Sequence, residues 1–195
     1  MTDHHEKPTA TWRLKKTVVM VGMMGAGKTA IGRALAGRLG VPFLDSDAEI
    51  ERAANMSIPE IFTRDGEPFF RDKEAQVIAR LLDEERGILS TGGGAFLAGR
   101  NRQMIAERGV AVWLNADLNT LWSRVKHKDT RPLLRTVDPR ATLTEIYNTR
   151  VPIYAEAEIQ VLSDSGVSID QMVDRVINAL RARKDVLEEV ECSKP

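Results

Sequence analysis

The sequence predicts an α/β domain of three layers, a five-stranded parallel sheet with helices on both faces. Two observations carry that expectation. Five short strand-like runs, at residues 17–21, 42–44, 87–90, 110–114 and 158–162, alternate with stretches of helical periodicity, the pattern of strands joined by helical crossovers. The first run, Thr17-Val18-Val19-Met20-Val21, is short, apolar and β-branched, as an inner strand covered on both faces should be.

Directly after that run stands Gly22-Met23-Met24-Gly25-Ala26-Gly27-Lys28-Thr29, which fits G-x-x-x-x-G-K-[ST]. Its glycines let the backbone curl so that successive N–H groups face phosphate oxygens. The helix that opens near Lys28 adds the positive end of its dipole. Lys28 is placed to reach the β- and γ-phosphates and the Thr29 hydroxyl to ligate Mg2+. The segment Gly25, Ala26, Gly27, Lys28, Thr29 and Ala30 is therefore the expected binding site for a nucleoside triphosphate.

The remaining elements follow in order. A helix over 28–39 is closed by Gly40 as its C′ residue. The strand at 42–44 leads into a short helix at 47–54. Ser57-Ile58-Pro59-Glu60 reads as a capping box that opens another helix, and 67–85 is a longer helical stretch with Phe70, Val77 and Leu81 on one face. After the strand at 87–90, helical patterns at 100–108 and 117–125 bracket the strand at 110–114. Residues 126–139 lose apolar periodicity. A second capping box, Ser168-Ile169-Asp170-Gln171, starts a last helix to about residue 182.

Composition narrows the function classes. With 43% hydrophobic and 29% charged residues over 195 positions, the chain suits one globular domain with a sizeable core. Its 28 basic and 28 acidic residues cancel, so no global field draws it to nucleic acid or acidic membranes. No basic stripe with interleaved aromatics supports nucleic-acid binding, and no apolar stretch approaches a membrane span. Residues 1–16 are polar, lack the apolar centre of a secretory signal and read as a mobile extension. His4 and His5 have no neighbours to complete a metal site. The charge-rich stretch 183–195 reads as a frayed helix end followed by coil. The single cysteine, Cys192, excludes an intrachain disulfide and fits a reducing cytoplasm.

Several residues in loops after strands bear chemistry. Asp45-Ser46-Asp47 follows the second strand, where strand ends line the ligand crevice of open α/β sheets. One acid can hold hydrated Mg2+ while the other accepts from a substrate hydroxyl; equally, an Asp before a helix can be a plain N-cap. Thr91-Gly92-Gly93-Gly94 follows the third strand, either as a close-approach surface for a ligand or as an ordinary loop. Arg131-Pro132-Leu133-Leu134 lies in the aperiodic segment among Arg124, Lys126, Lys128 and Arg135, and reads as part of a basic mobile lid over the triphosphate or as a solvated loop. Arg71 and Arg150 sit on helices near aromatic-containing runs, and nothing in their spacing pairs them.

Taken together, these residues resemble the shikimate kinase family, from about residue 17 to residue 180. The resemblance rests on Gly22 through Thr29, Asp45-Ser46-Asp47, Phe70-Arg71, Gly92-Gly93-Gly94, Arg131-Pro132-Leu133-Leu134 and Arg150-Val151-Pro152-Ile153-Tyr154, in that order. It implies a P-loop kinase fold of the nucleoside-monophosphate-kinase type with a mobile lid, here about 126–139 within a domain of 17–182. It implies transfer of the γ-phosphoryl of ATP to the 3-hydroxyl of shikimate, on the way to chorismate. Carried over, Lys28 and Arg131 hold the transferring phosphoryl, and Thr29 and Asp45 serve Mg2+. Asp47 orients the acceptor hydroxyl and is the candidate base. Arg71 and Arg150 clamp the shikimate carboxylate, Gly92, Gly93 and Gly94 contact shikimate through the backbone, and Arg124 packs against adenine. The expected partners are shikimate and ATP alone, with a monomeric, cytoplasmic protein. Another small-molecule kinase of this fold, such as gluconate kinase, would lack the Arg71, triple-glycine and Arg150 set. A nucleotide-binding regulator that had lost catalysis would show damage at the lysine, the acids or the clamp.

Overall fold

The computed structural model describes residues 11–127 and 132–190. Arg131 and Lys128 of the aperiodic segment, the pair His4 and His5, and Cys192 lie outside the described residues. Among the described residues the chain runs β1 (Thr11–Leu14), β2 (Thr17–Val21), α1 (Lys28–Leu39), β3 (Phe43–Asp45), α2 (Ser46–Ala54), α3 (Ile58–Glu84) and β4 (Ile88–Ser90). It continues through α4 (Gly99–Arg108), β5 (Gly109–Asn115), α5 (Leu118–Val125), α6 (Pro139–Tyr154), β6 (Ile159–Leu162), α7 (Ile169–Arg181) and β7 (Leu187–Val190), with short 3-10 turns at Ala95–Leu97 and Pro132–Leu134.

The main sheet is five-stranded and wholly parallel, in the order β3-β4-β2-β5-β6. Its centre is β2, and every residue of that strand is buried, which is why the run there contains no exposed polar position. The edge strand β6 alternates buried and exposed, because one of its faces meets water. Helices α1 and α7 pack on one another, as do α3 and α4.

Local sequence signals explain the element ends. The Gly40 N–H returns to the carbonyls of Ala36 and Gly37 at the end of α1. Both capping boxes are formed: Ser57 with Glu60, and Ser168 with Gln171. Helix α3 leaves helical geometry at Gly66 (φ 82°, ψ 171°), so its second stretch, which carries Arg71, sets off in a new direction.

The chain ends depart from the sequence reading. Residues 1–16 and 183–195 are expected there as a mobile extension and a frayed end, yet β1 and β7 pair antiparallel, Thr11 with Val190 through Leu14 with Leu187. The pairing is driven from within: Leu14, Val186 and Leu187 are buried, and the Arg181 guanidinium sits over the Trp12 ring at 5.8 Å. Four-residue strands rich in charge carry too little periodicity to be seen in sequence, and the packed unit runs from 11 to 190, beyond the 17–182 boundary.

Candidate active site

Because all five strands of the main sheet are parallel, the loops after them open at one edge, the usual position of a ligand crevice. A cleft of about 590 Å3 lies there, bounded by residues 25–30, Asp47, Gly92, Gly93, Arg124 and Met172.

The loop between β2 and α1 forms its floor. Gly25 has φ 81°, and a Cβ there would fall 2.7 Å from Val125 Cγ1, so neither the turn nor the space admits a side chain. The Ala26 N–H donates to the Met23 carbonyl at 3.1 Å, and the Ile31 N–H to the Gly27 carbonyl at 2.9 Å. The first amides of α1 thus sit at the cleft, in the arrangement that favours anions. Lys28 Nζ donates to the carbonyls of Gly22 (2.8 Å) and Met23 (3.0 Å). Thr29 Oγ1 lies 3.4 Å from Ser90 Oγ, at the end of β4.

The two acids take different positions. Asp45 caps α2: its Oδ1 accepts from the N–H groups of Asp47 (3.0 Å) and Ala48 (3.2 Å). Asp47, in the first turn of that helix, lines the cleft, and its buried Oδ1 has no hydrogen-bond partner among the described residues. Burial above all, then the charges of Asp45 and Glu74, raise its pKa to about 6 against the pull of Lys28.

The triple glycine brings the two distant arginines together. A Cβ at Gly94 would lie 2.6 Å from Arg71 Nη2 and 2.8 Å from Nη1, so the guanidinium rests directly on that glycine. Arg150 Nη1 lies 3.7 Å from the Cβ position of Gly93, and Asp47 Oδ1 lies 3.0 Å from that of Gly92. Arg71 is held by Glu74 at 2.9 Å and Glu67 at 3.3 Å, with the Phe70 ring 5.2 Å from its Cζ. Glu74 is 1% exposed, and burial raises its pKa despite the lowering pull of Arg71.

At the other end of the cleft, Arg124 Nη1 donates to the Gly25 carbonyl and to Ser163 Oγ, both at 3.3 Å, and Nη2 to the Asp164 carbonyl at 3.4 Å. It ties the phosphate-binding loop to the segment after β6, beside Val167 and Met172. Of the expected lid, the turn at Pro132–Leu134 is described and Leu134 is buried.

In the sequence reading Glu74 is passed over and Tyr154 is quoted only as the end of a motif, without a role. Each had one local signal: Glu74 is three residues beyond Arg71, and Tyr154 four beyond Arg150, the spacings that share a helix face. Their burial, which makes them matter, is a tertiary property.

Three comparisons bear on this cleft. The family model described as "Shikimate kinase" matches residues 24–181. The shikimate kinase of Ruegeria pomeroyi is 74% identical over 175 residues, covering 90% of this chain and 90% of the relative. That of Cereibacter sphaeroides is 65% identical over 176 residues, covering 90% and 88%. The solved structure of shikimate kinase from Acinetobacter baumannii in complex with shikimate superposes with a TM-score of 0.80 at 35% identity, covering 87% of this chain and 94% of that one.

Proposed function

The chain belongs to the shikimate kinase family, and we propose that this cleft holds ATP at the phosphate-binding loop and shikimate between Asp47 and the two arginines. The reaction is transfer of the γ-phosphoryl of ATP to the 3-hydroxyl of shikimate, giving shikimate 3-phosphate and ADP. One observation carries the residue assignment: Arg71 and Arg150 flank the same triple-glycine turn that abuts Asp47. A planar carboxylate suits a guanidinium pair, and ring hydroxyls suit Asp47 and the turn's main chain.

At the nucleotide end, the amides of residues 25–30 bind the phosphates. Lys28 leaves the carbonyls of Gly22 and Met23 for the β- and γ-oxygens, and Arg131 joins it on the transferring group. Arg124, already beside the loop, packs against adenine. Thr29 Oγ1, with Asp45 acting through water, would hold Mg2+. No group of three or more His, Cys, Asp or Glu gathers among the described residues, and this sparse set of hydroxyl and carboxylate oxygens suits a hard cation that takes its other ligands from phosphate and water. When bound, Mg2+ neutralises charge on the β- and γ-phosphates.

Asp47 accepts a hydrogen bond from the 3-hydroxyl, aligns it on phosphorus and takes its proton. Phosphoryl transfer passes through a loose transition state, so alignment outweighs base strength. A carboxylate with a pKa near 6 is ionised at neutral pH yet remains a competent acceptor. The 126–139 segment closes over the triphosphate and excludes water, which suppresses hydrolysis. No helix among the described residues is long and apolar enough to cross a membrane; the protein works in the cytoplasm as a monomer.

The test is ADP release from Mg-ATP with and without shikimate, with gluconate and 3-deoxyshikimate as controls. Stimulation by shikimate alone supports the assignment. ATP binding without stimulated transfer overturns the acceptor site while leaving the triphosphate site standing.

A further inference from the structure

Helix α6 carries Arg150 in its final turns, where its backbone is least secure. Pro152 lies inside this helix and has no N–H, so the hydrogen bond to the carbonyl four residues earlier is missing. Something other than the helix ladder must fix the direction in which Arg150 leaves it.

Tyr154 meets that need. Its hydroxyl donates to the Gly93 carbonyl at 2.5 Å. The side chain is fully buried, with the rings of Phe96 and Trp113 each 6.4 Å away by centroid. Arg150 Nη1 lies 3.7 Å from the Cβ position of the same glycine, and burial raises the phenol pKa against the pull of the Arg150 charge. The hydroxyl therefore ties the end of α6 to the same middle glycine against which the Arg150 guanidinium rests.

The other carbonyls of this turn are anchored differently. Asn101 Nδ2 donates to the Ala95 carbonyl at 2.8 Å. Arg102 donates to those of Phe96 (3.0 Å) and Leu97 (2.8 Å). Both anchors come from α4, which carries none of the proposed clamp. Among these side chains, Tyr154 alone anchors the turn from the helix that carries an arginine of the proposed clamp.

We propose that Tyr154 is a positioning residue for acceptor recognition, holding Arg150 and the Gly93 main chain as one unit against the acceptor carboxylate. This rests on the clamp reading above. Removal of the hydroxyl leaves packing intact but frees Arg150 from the turn and strands the Gly93 carbonyl, so the loss falls on acid recognition and not on ATP.

The experiment compares wild type with Tyr154→Phe, using shikimate and its carboxamide as acceptors and measuring kcat and KM for each and for ATP. Wild type should prefer the acid strongly. In Tyr154→Phe, KM for shikimate should rise about tenfold, in line with the loss of a part-buried hydrogen bond, while KM for ATP and for the carboxamide change less than twofold. The preference for acid over amide then shrinks about tenfold. Equal losses on acid and amide would make Tyr154 a merely structural residue and overturn the proposal. A wild type that does not distinguish acid from amide would instead overturn the clamp, which is a separate result.

If Tyr154→Phe does not fold, the wild-type protein labelled with 3-fluorotyrosine answers by 19F NMR. Only Tyr147 and Tyr154 are present, and Tyr147→Phe assigns the signals. A shift of the Tyr154 signal with shikimate and not with the carboxamide supports the proposal; the same response to both, or none, overturns it.

Discussion

Placing a methyl group on Gly94 tests the clamp most directly. Gly94 has φ −90° and ψ −13°, a conformation open to alanine, so Gly94→Ala introduces no backbone strain. The new Cβ would stand 2.6 Å from Arg71 Nη2, 2.8 Å from Nη1 and 3.0 Å from Cζ. Comfortable carbon contacts begin near 3.5 Å, so the guanidinium must retreat by roughly 0.9 Å. Because Arg71 is a long side chain with 31% of its surface exposed, it can move without unfolding its neighbours. The cost to stability should stay below about 1 kcal/mol. Binding suffers more. A charge-assisted hydrogen bond to a carboxylate contributes about 1.5–3 kcal/mol, so its loss should raise KM for shikimate by roughly 10- to 150-fold at 1.4 kcal/mol per decade. Steady-state kinetics with each substrate varied, alongside a thermal melt, reads this out. Unchanged KM for shikimate, or an equal rise in KM for ATP, would refute the reasoning.

Other changes probe other parts of the cleft. Asp47→Asn should lower kcat at least 100-fold by losing hydroxyl alignment, and near-normal turnover would end its assigned role. In the wild type, kcat/KM should fall tenfold per pH unit below about pH 6, where Asp47 takes up a proton. Its raised pKa also means that folding disfavours the ionised form: the neutral carboxyl's advantage is complete below about 3.8 and is lost as pH rises through 6. Asp47→Asn should therefore raise Tm at pH 8, and this gain should shrink toward pH 4 in metal-free buffer. Glu74→Gln removes the buried partner of Arg71 and should destabilise by roughly 1–3 kcal/mol while raising KM for shikimate; a melt and the same kinetics decide it. Deletion of residues 1–14 removes β1 and the burial of Leu14, and should lower stability by about 2–3 kcal/mol, with kcat at 25 °C unchanged.

Much of this protein is legible in its sequence because the signals are local. A buried parallel strand needs an unbroken apolar run and an edge strand an alternating one, so all five strands of the main sheet are visible within two residues of their observed ends. Capping boxes at Ser57 and Ser168 are four-residue chemistry, and the Gly22 to Thr29 loop is a backbone shape that a short string of glycines, lysine and threonine specifies. What spacing alone does not reveal is partnership. Arg71 and Arg150 are unremarkable helix arginines until the parallel sheet brings the loop after β4 between them; the family resemblance pairs them only because related chains fold alike. The pKa of Asp47, the burial of Glu74 and the reach of Tyr154 depend on which neighbours exclude water, and sequence distance carries no information about that. The terminal ribbon is the same case at the chain's ends, where two weak strands become definite only by finding each other. Sequence determined the elements of the main sheet and the phosphate chemistry, since those arise from interactions between residues near in the chain; the terminal ribbon and the substrate end of the cleft were decided by tertiary structure, since strand pairing, desolvation and clamping arise between residues far apart in it.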